Sequence, residues 1–291
     1  MSIILPEFWA IIFLLIIWKH SFFKIKGIAQ WILLGVFFSK LATSGILHFI
    51  YTNYYPDRST ADIFKYFDDA VVLFDSLHQS VGDFLKILFG LNCDTPEMSH
   101  YFENTNHWTR IYEYAPFLDN RLIIRTNMVL MFVSAQNIAV HYVFANFISF
   151  FGCILIYKTF EKMFGKSILC FILIFLMPST LLWSAGILKE CLVIFALGCF
   201  VYGFFNLTKH FSASGTIFCI IGLLMLVILK IYVLVALCPA LLAFVINKKK
   251  IFWKPIIAYI AVCILGVLCI GILDFGLHEL PFFESFAGKR T

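Results

Sequence analysis

The feature that most limits what this chain can fold into is a series of long apolar stretches without a charged residue. Four of them cover residues 167–188, 191–208, 211–229 and 255–273. Each is close to the roughly 20 apolar residues that a helix needs to cross a bilayer. The stretches lack the period of two that a membrane-spanning strand requires, and backbone groups in hydrocarbon must be paired within their own segment. The stretches therefore predict transmembrane helices.

The composition is typical of a membrane protein rather than of a soluble domain. Hydrophobic residues make up 62% of the chain and charged residues only 13%, against about 25% charged in an ordinary soluble domain. A water-soluble core cannot absorb this excess of apolar side chains. We therefore expect an all-α fold in which residues 1–291 form a single membrane domain, a helix bundle with about eight spans.

Lysines and acids divide the chain between the two sides of a membrane. Eleven lysines lie in four short connections between the apolar stretches, and short loops with such an excess of lysine stay in the cytoplasm. Eleven of the 17 acidic residues lie instead between Asp57 and Asp119. This contrast predicts that residues 52–126 form an extracytoplasmic loop subdomain.

One path satisfies both the apolar stretches and the lysines. Its predicted spans are residues 3–18, 28–51, 137–157, 167–185, 190–207, 213–229, 231–247 and 255–273. The first span carries Glu7 and ends without a small-residue cleavage site, which favours a retained helix over a signal peptide. The uncharged run from 126 to 157 is too long for one crossing at 1.5 Å per residue. Its first part predicts a half-embedded or interfacial helix.

The predicted outer loop begins with an amphipathic helix. Residues 61–77 place apolar side chains at 63, 67, 70, 74 and 77, a spacing that puts one stripe along a helix. Asp62, Tyr66 and Asp69 fall on a neighbouring strip, within about 60° of one another. The pattern predicts an apolar face on the membrane domain, with two carboxylates and a phenol directed to one place.

A second amphipathic helix is predicted over residues 80–90. Its apolar face would consist of Val81, Phe84, Leu85 and Leu88, and Gly90 would end it. Two such helices directly after a span would lie in the membrane interface and form a roof over the bundle.

The acids of the first amphipathic helix allow two interpretations. They can be the solvated face of a surface helix, which is the usual role of charges on a helix. Alternatively, Asp62, with Asp69 or Asp68 beside it, is a general base or a metal-binding carboxylate at the membrane surface. His100, Glu103 and His107 have the spacing of a divalent-metal site only if their segment is helical, which its proline and asparagines disfavour.

Basic residues inside or beside the predicted spans are further candidates for function. Lys40 lies near the middle of the second span, where a lysine costs about 2.5–3.5 kcal/mol, so it should face the bundle or a wet cavity. Lys189 and Glu190 follow the fourth span, and Arg121 and Arg125 precede the third. These bases can bind phosphate at the outer leaflet. The alternative for each of them is snorkelling to lipid headgroups.

Two groups of residues resemble bacterial GT-C type membrane glycosyltransferases, in the group near the transferases that depend on lipid-linked sugars. The first group lies in the predicted outer loop and reads Tyr54-Tyr55, then Asp62-x-x-x-Tyr66-Phe67-x-Asp69. The second reads Pro178-Ser179-x-x-x-Trp183-Ser184-x-Gly186-x-x-Lys189-Glu190. The resemblance runs loosely from the second predicted span to the eighth, and its motifs are short.

The resemblance implies a set of site residues. In that fold an aspartate of the first outer loop deprotonates or orients the acceptor, and basic residues bind the polyprenyl-phosphate sugar, sometimes with a divalent metal. By position it implies Asp62 as the base, Asp69 as the supporting carboxylate, and Arg125 and Lys189 as phosphate ligands. Asp57 is the alternative base, because the family's acid follows the Tyr-Tyr pair. The other candidate substrate-binding residues are Arg121, Lys40, Glu190 and Tyr66.

The resemblance also sets expectations about location and extent. It implies a multi-pass protein of the bacterial inner membrane, whose partners are the lipid bilayer and a polyprenyl-phosphate-linked sugar, and no nucleic acid. Such enzymes usually continue into further helices or a soluble domain, so it implies a shortened relative or a piece of a longer chain.

Three functions remain open from the sequence. The leading one is sugar transfer from a polyprenyl-phosphate carrier to a glycan, lipid or protein acceptor at the outer face of the inner membrane. The second is a transporter or flippase that uses Lys40 and a bundle cavity, although matched broken segments are not visible in the sequence. The third is a non-catalytic membrane subunit of a cell-envelope complex. The enzyme requires Asp62, Arg125 and Lys189 to converge.

Overall fold

A computed structural model describes residues 4–55, 57–109, 119–248, 256–257 and 259–264. Its α-helices are α1 (Ile4–Lys19), α2 (Gln30–Tyr54), α3 (Asp62–Phe74), α4 (Ser76–Gln79), α5 (Val81–Phe89), α6 (Asp119–Ser134), α7 (Ile138–Phe164), α8 (Ile168–Phe175), α9 (Pro178–Trp183), α10 (Lys189–Lys209) and α11 (Ala213–Lys248). Short 3₁₀ helices cover Ser21–Phe23, Arg58–Thr60 and Pro96–Tyr101. The described residues contain no strand, which confirms the all-α class.

Four of the described helices are long and apolar enough to cross a membrane. They are Gln30–Tyr54, Ile138–Phe164, Lys189–Lys209 and Ala213–Ile246. The shortest has 21 residues, which corresponds to about 31 Å of helix and matches the hydrocarbon core of a bilayer. The chain is therefore a helical membrane protein with four candidate spans among its described residues.

The described residues divide into two compact units. The first comprises the described residues up to Leu229, and the second comprises those from Lys230 onward. Within α11, Lys230 leaves helical geometry (φ −152°, ψ 76°), at the point where the sequence predicts the boundary between two spans. Of the predicted span 255–273, residues 256–257 and 259–264 are helical, and the others lie outside the described residues.

The predicted span 167–185 is wrong as a continuous helix. Helix α8 ends at Phe175, and Pro178 begins the separate helix α9. The cause is Pro178, because its ring would clash with the carbonyl of residue 174 and it has no N–H to donate. Met177 is accordingly extended (φ −61°, ψ 127°), as a residue before proline usually is. After Trp183 the chain remains non-helical until α10 begins at Lys189, and residues 184–188 are all buried. We call residues 184–188 the unwound segment.

Glycines bring α10 close to its two neighbouring helices. A Cβ on Gly152 of α7 would lie 2.6 Å from the carbonyl oxygen of Ile194 and from the Cα of Phe195 in α10. On the other side, a Cβ on Gly203 would lie 2.6 Å from the carbonyl oxygen of Gly215. Lipid tails give no hydrophobic driving force between helices, so small residues at the crossing points allow the van der Waals contact that holds them together.

The bundle has an aromatic core shared by α1, α2, α7 and α8. Phe13 of α1 stacks on Phe147 of α7, with ring centroids 4.1 Å apart. Phe37, Phe150 and Phe175 are buried in the same cluster. Helix α1 therefore belongs to the bundle, as its apolar sequence predicts.

The run from residue 126 to 157 is divided as predicted, because α6 ends at Ser134 and α7 begins at Ile138. Ala135 and Gln136 make the turn with positive φ values of 48° and 58°, a region that residues with a side chain rarely adopt. His141 stabilises this turn: its ring nitrogens lie 2.7 Å from Asn127 Oδ1 and 2.8 Å from Ser134 Oγ.

Three of the predicted lysine-bearing connections lie together. The Lys158 side chain of α7 contacts the carbonyl oxygen of Phe22, in the connection between α1 and α2. Lys162 donates to Asn206 Oδ1 near the end of α10 at 3.0 Å. These connections therefore lie at one end of the first unit, whereas the loop that begins with α3 follows the other end of α2.

The two amphipathic helices of the loop form at the predicted places, with a different distribution of buried faces. In α3 the predicted stripe residues Ile63, Phe67 and Ala70 are buried, and α3 packs mainly against α6. In α5, which ends at Gly90 with φ 73°, the predicted face is wrong in part. Phe84 is buried, but Val81 and Leu85 are exposed and Ile87 is buried instead.

Candidate functional site

Charged and phenolic side chains from four helices meet at the C-terminal end of α2, which leads into the loop. They are Tyr51 of α2, Asp62, Lys65 and Tyr66 of α3, Asp119 of α6, and Lys189 and Glu190 of α10. We call them the outer cluster, after the side of the membrane that the sequence predicts for this loop. Helices α3, α6 and α10 all contribute from their first turn or first residues.

Lys189 and Asp119 form the central ion pair of the outer cluster. Lys189 Nζ lies 2.6 Å from Asp119 Oδ2, and the two side chains are 11% and 17% exposed. The Lys189 ammonium also lies 5.5 Å from the ring centroid of Tyr66, within the range of a cation–π contact. A pair that is so well buried is costly to desolvate and needs its full set of contacts. Lys189 is therefore held at a fixed place beside Tyr66.

Asp62 is the accessible carboxylate of the outer cluster. It forms an ion pair with Lys65, and its side chain is 51% exposed whereas that of Lys65 is 17% exposed. Lys65 in turn lies 5.0 Å from the ring centroid of Tyr66. Because Asp62 is the first residue of α3, the helix dipole also favours its negative charge. The Tyr66 ring thus lies near two ammonium groups, that of Lys65 in the same helix and that of Lys189 at the start of α10.

Tyr51 lies within electrostatic range of two acids of the outer cluster. The charges of Asp62 and Glu190 both act on its phenol. Tyr51 stacks on Tyr55 with ring centroids 4.6 Å apart. The structure therefore brings together four of the predicted site residues: Asp62, Tyr66, Lys189 and Glu190.

Asp69 lies away from the outer cluster. It is fully buried and accepts hydrogen bonds from the backbone N–H groups of Asn106, at 2.9 Å, and His107, at 2.8 Å. Burial raises the pKa of this carboxyl, and the two N–H donors oppose the rise. The predicted convergence of Asp69 with Asp62 on one place does not occur, because α3 buries the strip that holds Asp69 against the loop.

Asp57 is exposed and caps the 3₁₀ helix Arg58–Thr60. Its Oδ1 accepts from the backbone N–H of Ser59 at 2.9 Å and from the Ser59 hydroxyl at 2.8 Å. These hydrogen bonds, the hydroxyl first, hold the pKa of Asp57 below its ordinary value. Its position is that of a capping residue.

Arg121 and Arg125 hold the loop in place around Trp108. Their guanidinium carbons lie 4.7 and 5.1 Å from the Trp108 ring. Arg121 forms an ion pair with Asp94 at 2.7 Å, whose pKa is lowered chiefly by this hydrogen bonding. Arg125 donates to the carbonyl oxygen of Ile87 at 2.8 Å. Both arginines are engaged in the loop, and the contacts that hold them are with loop residues rather than with Asp62 or Lys189.

Lys40 faces the interior of the bundle, as predicted, and is only 2% exposed. Its ammonium contacts the hydroxyl of Ser184 in the unwound segment. The neighbouring Ser44 hydroxyl lies 2.8 Å from the carbonyl oxygen of Ala185. Lys40 is thus deep in the bundle and separate from the outer cluster.

Lys65, Asp119 and Tyr51 are members of the outer cluster that the sequence does not single out. Lys65 could have been found, because it is three residues after Asp62 on a helix. Asp119 and Tyr51 reach the cluster only through the packing of α6 and α2 against α3 and α10, which no local pattern indicates.

The described residues contain no preformed metal site. No group of three or more His, Cys, Asp or Glu side chains among them is arranged to hold a metal ion. His100 lies in a 3₁₀ helix that ends at Tyr101, so the helical spacing needed to bring it to His107 is missing. The His107 ring nitrogen Nε2 lies instead 2.9 Å from the carbonyl oxygen of Ser59.

Comparison with known proteins identifies no relative. Neither a family model, nor a curated protein, nor a solved structure matches the chain.

Proposed function

We propose that the chain is an integral membrane glycosyltransferase that moves a sugar from a polyprenyl-phosphate carrier to a glycan, lipid or protein acceptor. The observation that carries the proposal is the outer cluster. An accessible carboxylate, Asp62, forms an ion pair there with Lys65, and the same cluster contains Glu190, two phenols and the ammonium group of Lys189. Carboxylates and ammonium groups that face one place are the parts that group transfer from a phosphate carrier requires.

The roles follow from exposure and charge. Asp62 accepts the proton of the acceptor hydroxyl, whose oxygen attacks the anomeric carbon as the bond from that carbon to the phosphate oxygen breaks. The bond electrons leave with the polyprenyl phosphate. Lys65 and Lys189 stabilise the negative charge on this leaving phosphate. Their existing pairing with Asp62 and Asp119 keeps both ammonium groups in place before the carrier arrives.

The proposed setting is the inner membrane of a bacterium, with about eight spans and residues 52–126 on the outer side. The grouping of lysine-bearing connections at the end of the first unit opposite to α3 supports this orientation. Cysteine labelling in intact cells tests it. His78→Cys, at an exposed loop position, should react with a membrane-impermeant reagent, and Lys166→Cys should react only after permeabilisation. The reverse labelling pattern would show that residues 52–126 lie on the cytoplasmic side and would refute the proposed orientation.

Replacement of Asp62 by asparagine tests the catalytic role. The variant keeps the shape of the side chain and removes its basic oxygen, so transfer should fall by roughly 10²- to 10⁴-fold at unchanged protein level. Asp75→Asn is the matched control, since Asp75 is an exposed acid at the other end of α3. Full activity of Asp62→Asn would refute the assignment, and loss only in Asp57→Asn would move the base to Asp57.

One specific feature favours the alternative of a transporter or flippase: the unwound segment, which separates two helices beside Lys40. Unwound segments near charged side chains form substrate sites in transporters. Purified protein in vesicles distinguishes the two functions. Transport of a lipid-linked sugar without transfer, sensitive to Lys40→Met and insensitive to Asp62→Asn, would favour the transporter.

A further inference from the structure

The interface of α2 and α7 contains a line of polar side chains, of which only Tyr51 belongs to the proposed transfer site. Lys40, Ser44, His48 and Tyr51 follow one another on α2 at spacings of four, four and three, so they share one face of the helix. Tyr142 and Asn146 face them from α7 at a spacing of four. We call these six residues the polar column.

Contacts across the interface connect the polar column. The amide nitrogen of Asn146 contacts the Ser44 hydroxyl, and His48 Nδ1 lies 3.0 Å from the Tyr142 hydroxyl. At one end, Lys40 contacts Ser184 of the unwound segment. At the other end, Tyr51 lies within electrostatic reach of Asp62 and Glu190 in the outer cluster. The polar column therefore extends from the bundle interior to the outer cluster.

Several polar groups at the inner end lack a partner within the part of the chain that the structure describes. Asn146 Oδ1 is buried and accepts no hydrogen bond from a described residue. The Lys40 ammonium, which has three N–H groups, makes one hydrogen bond to the described residues. The backbone N–H groups of Gly186, Ile187 and Leu188, all in buried residues, also have no acceptor among them. Unpaired buried donors and acceptors are costly, so such groups are normally satisfied by ordered water.

The charge of Lys40 points to the same conclusion. The titratable groups that act on it are Cys153 of α7 and Cys191 of α10, and no described carboxylate forms an ion pair with it. An ammonium group in a bundle interior requires either a counter-ion or hydration. Both donors and an acceptor are available here, and water is the ligand that satisfies both kinds of group.

We propose that the polar column is a water-filled passage that opens at the outer cluster and allows Lys40 to exchange water and protons with the outer face. The passage supplies the missing partners of Lys40, Asn146 and the unwound segment. It does not rest on the proposed sugar transfer, since a transporter or a subunit with the same bundle would contain it.

Hydroxyl-radical footprinting of the protein in lipid nanodiscs tests the passage, because radicals formed from bound water modify buried side chains next to that water. Cys153 and Cys191 are the thiols within electrostatic range of Lys40, and Cys199 of α10 is an equally buried control. We expect Cys153 and Cys191 to be oxidised severalfold faster than Cys199. Equal, slow oxidation of all three thiols would overturn the proposal.

Two further arms make the result specific. Asn146→Leu, which replaces the amide by an apolar side chain, should reduce oxidation of Cys153 and Cys191 to the level of Cys199. Ser44→Ala serves the same purpose if Asn146→Leu fails to fold. Rapid mixing with H₂¹⁸O before the pulse should place ¹⁸O on both thiols. Oxidation without ¹⁸O would mean water sealed in the bundle, and would refute the opening to the outer face.

Discussion

The loop region of α3, α5 and α6 differs from the bundle interior of α2, α7 and α10 in how it stabilises polar groups. In the loop, charges occur in pairs: Arg58 with Asp68, Lys86 with Asp83, and Arg121 with Asp94. In the bundle, neutral hydroxyl and amide groups donate to backbone carbonyl oxygens, of a helix in one case and of the unwound segment in two. Lys40 has no carboxylate partner among the described residues.

The difference follows from the solvent around each region. Exposed pairs cost little to form because water screens them, and they also contribute little. Inside a bundle every polar group must be satisfied by protein or by trapped water, so a few neutral groups on neighbouring helices are preferred. The outer cluster lies where the two regions meet and has both an exposed pair, Asp62–Lys65, and a buried pair, Lys189–Asp119.

The buried pair of the outer cluster should give the largest effect on stability. Asp119→Leu leaves the Lys189 ammonium buried without its carboxylate, and we expect a loss of about 3–5 kcal/mol in the free energy of unfolding. The double variant Asp119→Leu with Lys189→Met should recover most of this loss, because neither charge remains. Unfolding in mixed micelles measures both. Equal losses in the single and double variants would show that the pair does not couple.

The glycine crossing of α7 and α10 should give the next largest effect. In Gly152→Ala the new Cβ would lie 2.6 Å from backbone atoms of α10, which no side-chain rotation relieves. We expect a loss near the upper end of the roughly 1–3 kcal/mol typical of overpacking.

Gly35→Ala in α2 is the matched control for the glycine crossing. Its Cβ would meet nothing within 4 Å, and alanine favours a helix over glycine by up to about 1 kcal/mol. The control should therefore be neutral or stabilising. A similar loss in both variants would show that glycine content, and not the close crossing, determines stability.

Asp69 tests whether the loop, like the bundle, also holds a buried polar group by hydrogen bonds to the backbone. Its carboxylate is buried and accepts from two backbone N–H groups. Asp69→Asn sets an amide NH₂ against one of the two backbone N–H groups. We expect a loss in the lower half of the roughly 1–3 kcal/mol for an unsatisfied buried donor, because the other N–H group keeps its acceptor. Asp75→Asn should change stability little, since Asp75 is exposed.

The pH dependence of the same variant has a definite sign. Because the pKa of Asp69 is raised in the folded protein, the folded state holds its proton to a higher pH than the unfolded state. The resulting stabilisation is complete below the ordinary aspartate pKa and disappears as pH rises through the raised value. The stability advantage of the wild type over Asp69→Asn should therefore grow on acidification. An advantage that shrinks on acidification would contradict the burial effect.

The sequence predicts those features of the fold that depend on a local period. The 4-3-4-3 spacing gives α3, Gly90 gives the end of α5, and the length of the run from 126 to 157 gives the separation of α6 from α7. The break at Pro178 was missed because the residues around it are apolar enough for a continuous span. Hydropathy indicates where the chain can cross, whereas one missing N–H decides whether the crossing is helical.

The candidate site was predictable only in part, for the same reason. Asp62, Tyr66, Lys189 and Glu190 belong to short motifs and are found together. Asp69 lies on the same strip of α3 as Asp62, yet it is fully buried. The loop backbone at Asn106 and His107 covers α3 at that point. Which face of an amphipathic helix is covered depends on partners that lie far away in sequence.

The smallest effect on stability is expected for the exposed pair Arg58–Asp68. This pair shows how little an ion pair in water contributes, in contrast to the buried pair of the outer cluster. The guanidinium makes two hydrogen bonds of 2.8 Å to the carboxylate, while the side chains are 54% and 34% exposed. Good geometry and high exposure act in opposite directions, so the pair should contribute about 0.2–1 kcal/mol.

Arg58 also lies 4.2 Å from the Phe64 ring centroid, a contact that survives when Asp68 is changed. Asp68→Asn should therefore lose less than Arg58→Ala, and only the Asp68→Asn difference should disappear in high salt. A loss above about 2 kcal/mol for Asp68→Asn would place this pair with the buried charges of the outer cluster and remove the distinction between the two regions.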